Sequence, residues 1–368
     1  MNDFSNFIVP LPDLVLTEVT GADAAIFLHG QLTHDVTGLA FDQARLAGYC
    51  TPKGRLLATM VIWRNIASPA SGNGDSHSGN SDETVYLLTK ADVAHSMAQR
   101  LAMFVLRAKV KINIRETPIY GVYAPGSESN NAATRQDSAF DVFAPDGVLS
   151  QQTRPLFVAR SMSGAWITAP SAHGAAQRAW YIPSDTAPLP HADNTEQAAR
   201  ALAGWQAADI AAGFPWVVAA TQDLFIPQTL NLDLIDGVSF TKGCYPGQEV
   251  VARSHYRGTV KRRMAYGIAP DASSVVLQEL ASVDTFDAGK PQNPCGRIVN
   301  AAWAPMGENT SSAASIPADP ASGSAPTVLH VLMEVQLSDL ESAEFRLGEP
   351  NGPVIELRPM PYQLKAAD

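Results

Sequence analysis

The chain has 368 residues, 46% of them hydrophobic and 17% charged, with a formal net charge of −10. That is enough apolar material for large buried cores in two or three domains of a soluble protein. No run reaches the roughly 18 apolar residues that span a bilayer, the opening MNDFSNFIVPLPDLVL has no basic leader region, and Cys50, Cys244 and Cys295 form no CxxC pair, so neither a membrane anchor, a disulfide framework nor a local zinc site is written here.

Thr20 and Asp23 have capping-box spacing, and Ile26, Phe27, Leu28 and Leu32 supply an apolar face, which predicts a helix over 21–32. His29 and His34 are five apart, not the i, i+4 of a helical zinc pair, and read as ordinary polar contacts. Residues 67–83, 124–137 and 304–327 are too polar and small to form core and read as surface insertions. A strand is expected over 86–89. A helix should follow over 91–106, on Val93, Met97, Leu101 and Phe104, before KVKINI switches to the period-two pattern of a strand. Another helix should begin near Asn194 or Thr195 and stop at Gly213, because Gly-Phe-Pro supplies a left-handed cap and then a residue that cannot continue a helix. Further strands are expected over 238–240, 264–268, 296–302 and 328–336. Mixed elements without βαβ alternation indicate an α+β fold. The helical signal disappears after Arg263, so an all-β, barrel-like module is expected over 259–368, after a larger two-part region over 1–258.

The stretch FTKGCYPGQEVVARSHYRGTVKRR, residues 240–263, holds six Lys or Arg against the single acid Glu249, a local +5 in a chain that carries −15 elsewhere. Such a reversal suits an anionic ligand better than a nucleic-acid backbone, which calls for positive charge across a whole face; a solvated basic strand and turn is the alternative. If GVSFTKGCY is a strand, Lys242 and Cys244 project to one side, and an ammonium beside a thiol favours the reactive thiolate. Cys244 is then the candidate reactive residue, and packing in a turn is its plain alternative. Gly243 and Gly247, with Pro246 between, permit a tight turn and close approach of another backbone or a flat ligand. No oxyanion-type motif, Walker loop or GxGxxG is present.

KGCYPGQE, residues 242–249, resembles the signature of the YgfZ-type folate-binding proteins, relatives of the glycine-cleavage T-protein, an aminomethyltransferase. FLHGQLTHDV (27–36), YCTPKGR (49–55), LRAKVKI (106–112), AAGFP, FIPQTLNLD (225–233) and PMPY occur in the same order as in that family. The resemblance implies a T-protein-like multi-domain fold around a central cavity that binds tetrahydrofolate. It also implies a cytoplasmic accessory protein that supports assembly or repair of iron–sulfur clusters, for example in radical-SAM enzymes that modify tRNA; the long polar insertions give no hydrophobic seam that would demand assembly, so a monomer is expected. Its partners would be folate and iron–sulfur enzymes or their assembly factors, with no direct nucleic-acid or membrane contact. Cys244 and Lys242 would be the reactive pair; Trp205, Tyr245, Gln248, Glu249 and Arg253 would line the cofactor site, with the Trp205 indole as a platform for the pterin.

Three departures from the family pattern stand out. Ala211 takes the place where folate-binding relatives commonly carry a glutamate, and Leu14 a place where some carry an aromatic residue. Leu57 and Ala58 fall where the T-protein has its acidic pair, and apolar groups cannot handle protons. Three readings follow: a folate-linked iron–sulfur accessory factor, a one-carbon transferase, and a non-enzymatic module whose basic turn docks an acidic partner.

Overall fold

The computed structural model describes residues 8–66, 83–123, 156–185, 195–256, 260–272, 280–305 and 327–364. The three expected insertions lie outside these residues except at their margins, and so does Arg257. In chain order the elements of the first part are β1 (Ile8–Pro10), β2 (Leu14–Thr20), α1 (Ala24–His29), β3 (Gln43–Cys50), β4 (Leu56–Ile66), β5 (Glu83–Lys90), α2 (Ala91–Ala102), β6 (Lys111–Arg115), β7 (Tyr120–Tyr123), β8 (Leu156–Ser161), β9 (Gly164–Ala169), β10 (Arg178–Pro183), α3 (Thr195–Ala211) and α4 (Gln248–Tyr256). Their ten strands form one sheet, ordered β1-β7-β10-β9-β8-β3-β4-β5-β2-β6. Among the described residues the second part is strands apart from one short 3-10 turn: β11 (Arg262–Ala269), β12 (Asp284–Asp287), β13 (Lys290–Pro305), β14 (Thr327–Gln336), β15 (Phe345–Leu347) and β16 (Glu356–Arg358), ordered β15-β12-β13-β14-β11-β16. The fold is α+β.

The central strands of the large sheet are buried on both faces, and their period of two sorts side chains into two cores. On β4, Ala58, Met60 and Ile62 join Phe27 and Leu28 of α1 and Val93, Met97 and Leu101 of α2. Val61 and Trp63 point the other way, into a core that also takes Trp205 and Ile210 of α3, Phe214, Trp216, and Met264, Tyr266, Val299 and Leu332 of the second sheet. The two sheets therefore share one interior. The joint is pinned by polar groups: Arg263 donates twice to Asp233, at 2.6 and 3.1 Å, and Asn231, in the left-handed conformation at φ 59°, donates to the Met264 carbonyl at 2.8 Å. Among the described residues no helix is long and apolar enough to cross a membrane.

Several local expectations change for identifiable reasons. Helix α1 is shorter than 21–32, and no capping box forms, because the Asp23 carboxylate instead accepts the backbone N–H of Lys109 at 2.7 Å. Helix α2 ends at Ala102, with Met103 66% and Leu106 86% exposed beyond it. No strand forms over 238–240: the Ser239 N–H donates to the Thr33 carbonyl at 2.9 Å, a tertiary bond in place of a ladder. Helix α3 stops as its sequence dictates, with Gly213 at φ 63° and the Tyr362 hydroxyl donating to the Gly213 carbonyl at 2.9 Å. Cys50 and Cys295 are buried, and burial pushes both thiols up.

Candidate functional site

The KGCYPGQE segment is an irregular loop leading into α4, so Lys242 and Cys244 are not neighbours on one face of a strand. What fixes the loop is Thr33, wholly buried between α1 and β3. Its hydroxyl donates to the Gly237 carbonyl and accepts the Gly48 N–H, both at 2.7 Å, while its carbonyl takes the Ser239 N–H. Thr33 thus ties FLHGQLTHDV to the residue just before YCTPKGR and to the chain just before KGCYPGQE. The second contact is between turns: Gly247 (φ 84°) lies on Gly54 (φ 73°) and the Thr51 carbonyl, so closely that a Cβ on Gly247 would stand 2.5 Å from that oxygen and 2.6 Å from the Gly54 Cα.

Lys242 turns inward while Cys244 stays exposed. Its ammonium donates to the His29 carbonyl, at the last residue of α1, and, at 2.7 Å, to the Leu32 carbonyl three residues further on, and lies 4.8 Å from the centre of the Tyr245 ring. Burial pushes Lys242 down to about 8 against the opposing pull of Asp35 and Cys244. The ammonium is therefore committed to carbonyls and a ring face, and its influence on the thiol is electrostatic. Tyr245 is buried, which pushes its phenol up, the nearby Cys50 adding to the effect. Gln248 is half-buried in the first turn of α4, whereas Glu249 and Arg253 pair with each other at 2.9 Å on its exposed face. The loop brings Lys242, Cys244 and Tyr245 together; Glu249 and Arg253 face solvent one helical turn apart.

Two residues that spacing had set aside as ordinary, or not singled out at all, border this loop. His29 lies over Gly243, its Nε2 3.4 Å from where a Cβ would stand, and its Nδ1 is 2.9 Å from Asp35 Oδ1. The same carboxylate oxygen accepts the Thr37 hydroxyl at 2.9 Å and the Gly38 N–H at 3.0 Å. Burial raises Asp35, but the bonds from Gly38, Thr37 and His29 together outweigh it and hold the carboxyl below its ordinary value. The sequence signal was Asp-Val-Thr-Gly, a turn in which an aspartate accepts from residues two and three on.

Trp205 lies elsewhere, in the shared core, 1% exposed. The Arg178 guanidinium is 4.5 Å from the centre of its ring, donates to the Trp205 carbonyl at 3.2 Å, and pairs with Asp209 at 2.9 Å; Asp209 also accepts the Trp216 indole N–H at 2.9 Å. Burial pushes Asp209 up, and Arg178, Lys90 and Trp216 work against that push. In kind, these groups fit a pterin: flat indoles, a buried carboxylate, and the Trp205 and Trp180 N–H groups, which have no partner among the described residues. Stacking on Trp205 requires the Arg178 guanidinium to leave the ring.

Comparison with known proteins gives a consistent picture. No family model matches the chain. It is 29% identical over 277 residues to a protein of Yersinia pestis described as tRNA-modifying protein YgfZ, covering 73% of this chain and 72% of that one. A protein of the same description from Hamiltonella defensa is 29% identical over 257 residues, covering 70% and 68%, and an uncharacterized protein of Haemophilus influenzae is 32% identical over 257 residues, covering 70% and 71%. Among solved structures, the glycine cleavage system aminomethyltransferase T from Bartonella henselae superposes with a TM-score of 0.58 over 98% of this chain and 87% of that one, at 14% identity, a likeness of fold.

Proposed function

The chain belongs to the YgfZ family and has the fold of the glycine-cleavage T-protein, and from that premise we propose that it is a tetrahydrofolate-linked accessory protein that supports iron–sulfur enzymes, among them enzymes of tRNA modification, through a reactive thiol at Cys244. The observation that carries the reading is the placement of the thiol. Cys244 is exposed, on a loop that two other segments hold in shape, while Cys50 and Cys295 are buried. An accessible thiol on a preorganised loop beside a cation is suited to nucleophilic, redox or transient ligand chemistry.

The one-carbon-transferase reading is less well supported. Ala58 is wholly buried among apolar side chains, and Leu57 beside it carries no proton-handling group. Tetrahydrofolate enters the proposal through the fold and the character of the groups around Trp205, which would hold the pterin once Arg178 has moved. When bound, the folate would supply one-carbon or reducing chemistry, and this chain's part is to bind it and present Cys244.

The test is complementation. In cells lacking the protein, Cys244→Ala should fold normally but fail to restore the tRNA product of a cluster-dependent methylthiotransferase. Full restoration would discard the thiol-based function. If activity is instead lost only on charge reversal at Arg253 or Lys261, the docking-module reading takes its place. Titration with tetrahydrofolate while following Trp fluorescence, in wild type and Trp205→Ala, tests the cofactor: no response in wild type removes folate.

A further inference from the structure

We propose that β6 and the turn leading into it form a docking edge for an extended acidic segment of a partner protein, which adds to the large sheet as a further strand. The inference is independent of the role of Cys244. Strand β6 ends the sheet order: it pairs with β2, from Lys111 opposite Thr20 to Arg115 opposite Leu16, and among the described residues none of its backbone groups is bonded to any other segment. The outward N–H and C=O groups of such a strand are a template for another chain. A period of two sorts its side chains: Ile112 packs on the core of α1 and α2 and Ile114 shares its face, while Lys111, Asn113 and Arg115 take the other. Arg115 is already paired, with Asp185 at 3.0 Å and Glu18 at 3.5 Å. Lys109 and Lys111 are exposed and, among the described residues, in no ion pair.

The approach to this edge is apolar and held in place. Met103, Phe104 and Leu106 are exposed between α2 and β6, yet Val105 and Val110 beside them pack on the core of α1 and α2. Lys109 exchanges backbone bonds with Asp23, its N–H donating to the carboxylate at 2.7 Å and its carbonyl accepting the Asp23 N–H at 3.4 Å. A lysine on a sheet edge also discourages self-pairing, but that role alone leaves three large apolar side chains in water unexplained.

Charge selects the occupant. Residues 100–115 carry five Lys or Arg and no Asp or Glu, +5 in a chain of −10, which leaves −15 elsewhere. An anionic bilayer or a nucleic acid presents its charge across a wide surface and meets the repulsion of that −15. A single acidic strand meets only the local cations, within a screening length of about 8 Å at physiological salt. A bilayer, moreover, offers no ladder of N–H and C=O groups, and a second copy of the chain brings its own lysines and its own net charge. The segment that fits alternates, with carboxylates on the face of Lys111 and β-branched residues on the face of Ile112 and Ile114.

The test uses the full chain and a short fluorescein-labelled peptide in which glutamate and valine alternate, titrated by anisotropy, with hydrogen exchange followed over residues 111–115. Wild type should bind the peptide, and saturation should slow the fast-exchanging amides of β6 by at least about tenfold. Lys109→Glu/Lys111→Glu, at two exposed positions, should weaken binding by at least about tenfold, and Leu106→Asp by at least about threefold. A peptide of the same composition with its glutamates and valines in separate blocks should not bind. Should the double reversal disturb folding, Lys111→Gln decides in its place, with a weakening of about threefold expected. No binding by wild type, equal binding by the lysine variant, or protection confined to residues outside 111–115 overturns the proposal. So does a β6 without fast-exchanging amides in the free chain, since the edge is then already covered. Dimerisation that is lost in the lysine variant would give the edge to a second copy, and lysine-dependent binding to phosphatidylserine vesicles without binding to the peptide would give it to a membrane; each overturns the assignment to an acidic strand.

Discussion

Replacing Gly247 with alanine should unlock the motif loop without touching a functional side chain. The residue sits at φ 84°, and an added Cβ would lie 2.5 Å from the Thr51 carbonyl oxygen, 2.6 Å from the Gly54 Cα and 2.7 Å from the Gly54 nitrogen. A left-handed conformation costs an L-residue about 1–2 kcal/mol. All three colliding atoms are backbone, so no rotamer change relieves the overlap, and overpacking of this kind adds about 1–3 kcal/mol. The sum, about 2–5 kcal/mol, falls on local opening of the loop rather than on the distant sheets. Hydrogen exchange reads it directly at Val250 and Val251, whose N–H groups donate to the Gly247 carbonyl at 3.1 and 3.2 Å. Their exchange should accelerate by at least about thirtyfold, the equivalent of roughly 2 kcal/mol. Gly174 provides the control, since its φ is 75° but nothing lies within 4 Å of its Cβ position, so Gly174→Ala should show the strain term alone. Acceleration below about threefold in Gly247→Ala, or equal effects in the two variants, would refute the turn-on-turn contact.

Two further outcomes follow from buried polar groups. Arg263→Met strands the Asp233 carboxylate, whose side chain is 6% exposed, and should cost about 3–5 kcal/mol in chemical denaturation, while Arg263→Met/Asp233→Leu recovers most of it; a double variant no more stable than the single would show that the pair is not what couples the sheets. His330 is buried, with its Nδ1 2.9 Å from the Tyr266 hydroxyl, and burial pushes it down to about 4, the Arg358 charge adding to the effect. Since its folded value lies below its unfolded one, the neutral ring's contribution is complete above about pH 6.5 and is lost as the pH falls towards 4, a decrease of about 3 kcal/mol. His330→Gln should flatten that part of the stability–pH profile, and an unchanged slope would refute the assignment.

Much of the architecture was legible because it is local. The Gly-Phe-Pro stop of α3 needs only a left-handed glycine and a proline, and the strands of the second sheet carry their own apolar runs. The motif loop was harder. GVSF has strand-like composition, but Thr33 captures its backbone from across the molecule, so a sheet partner never forms. The inward path of Lys242 could not be anticipated either, because its acceptors are main-chain carbonyls, which leave no mark on residue type. The core had the same limitation: Ala211 was visible as a departure, but the Arg178 that pairs with the buried Asp209 comes from β10 and announces nothing in its own segment.

The Lys242 clasp also has a consequence for biosynthesis. Its acceptors leave the ribosome more than two hundred residues before the amine does, and at about 5–20 residues per second that gap lasts on the order of ten to forty seconds. Throughout that interval the nascent chain has the helix end but not the thiol. Cys244 is synthesised two residues after the lysine that secures its loop, so this thiol and its restraint arrive almost together.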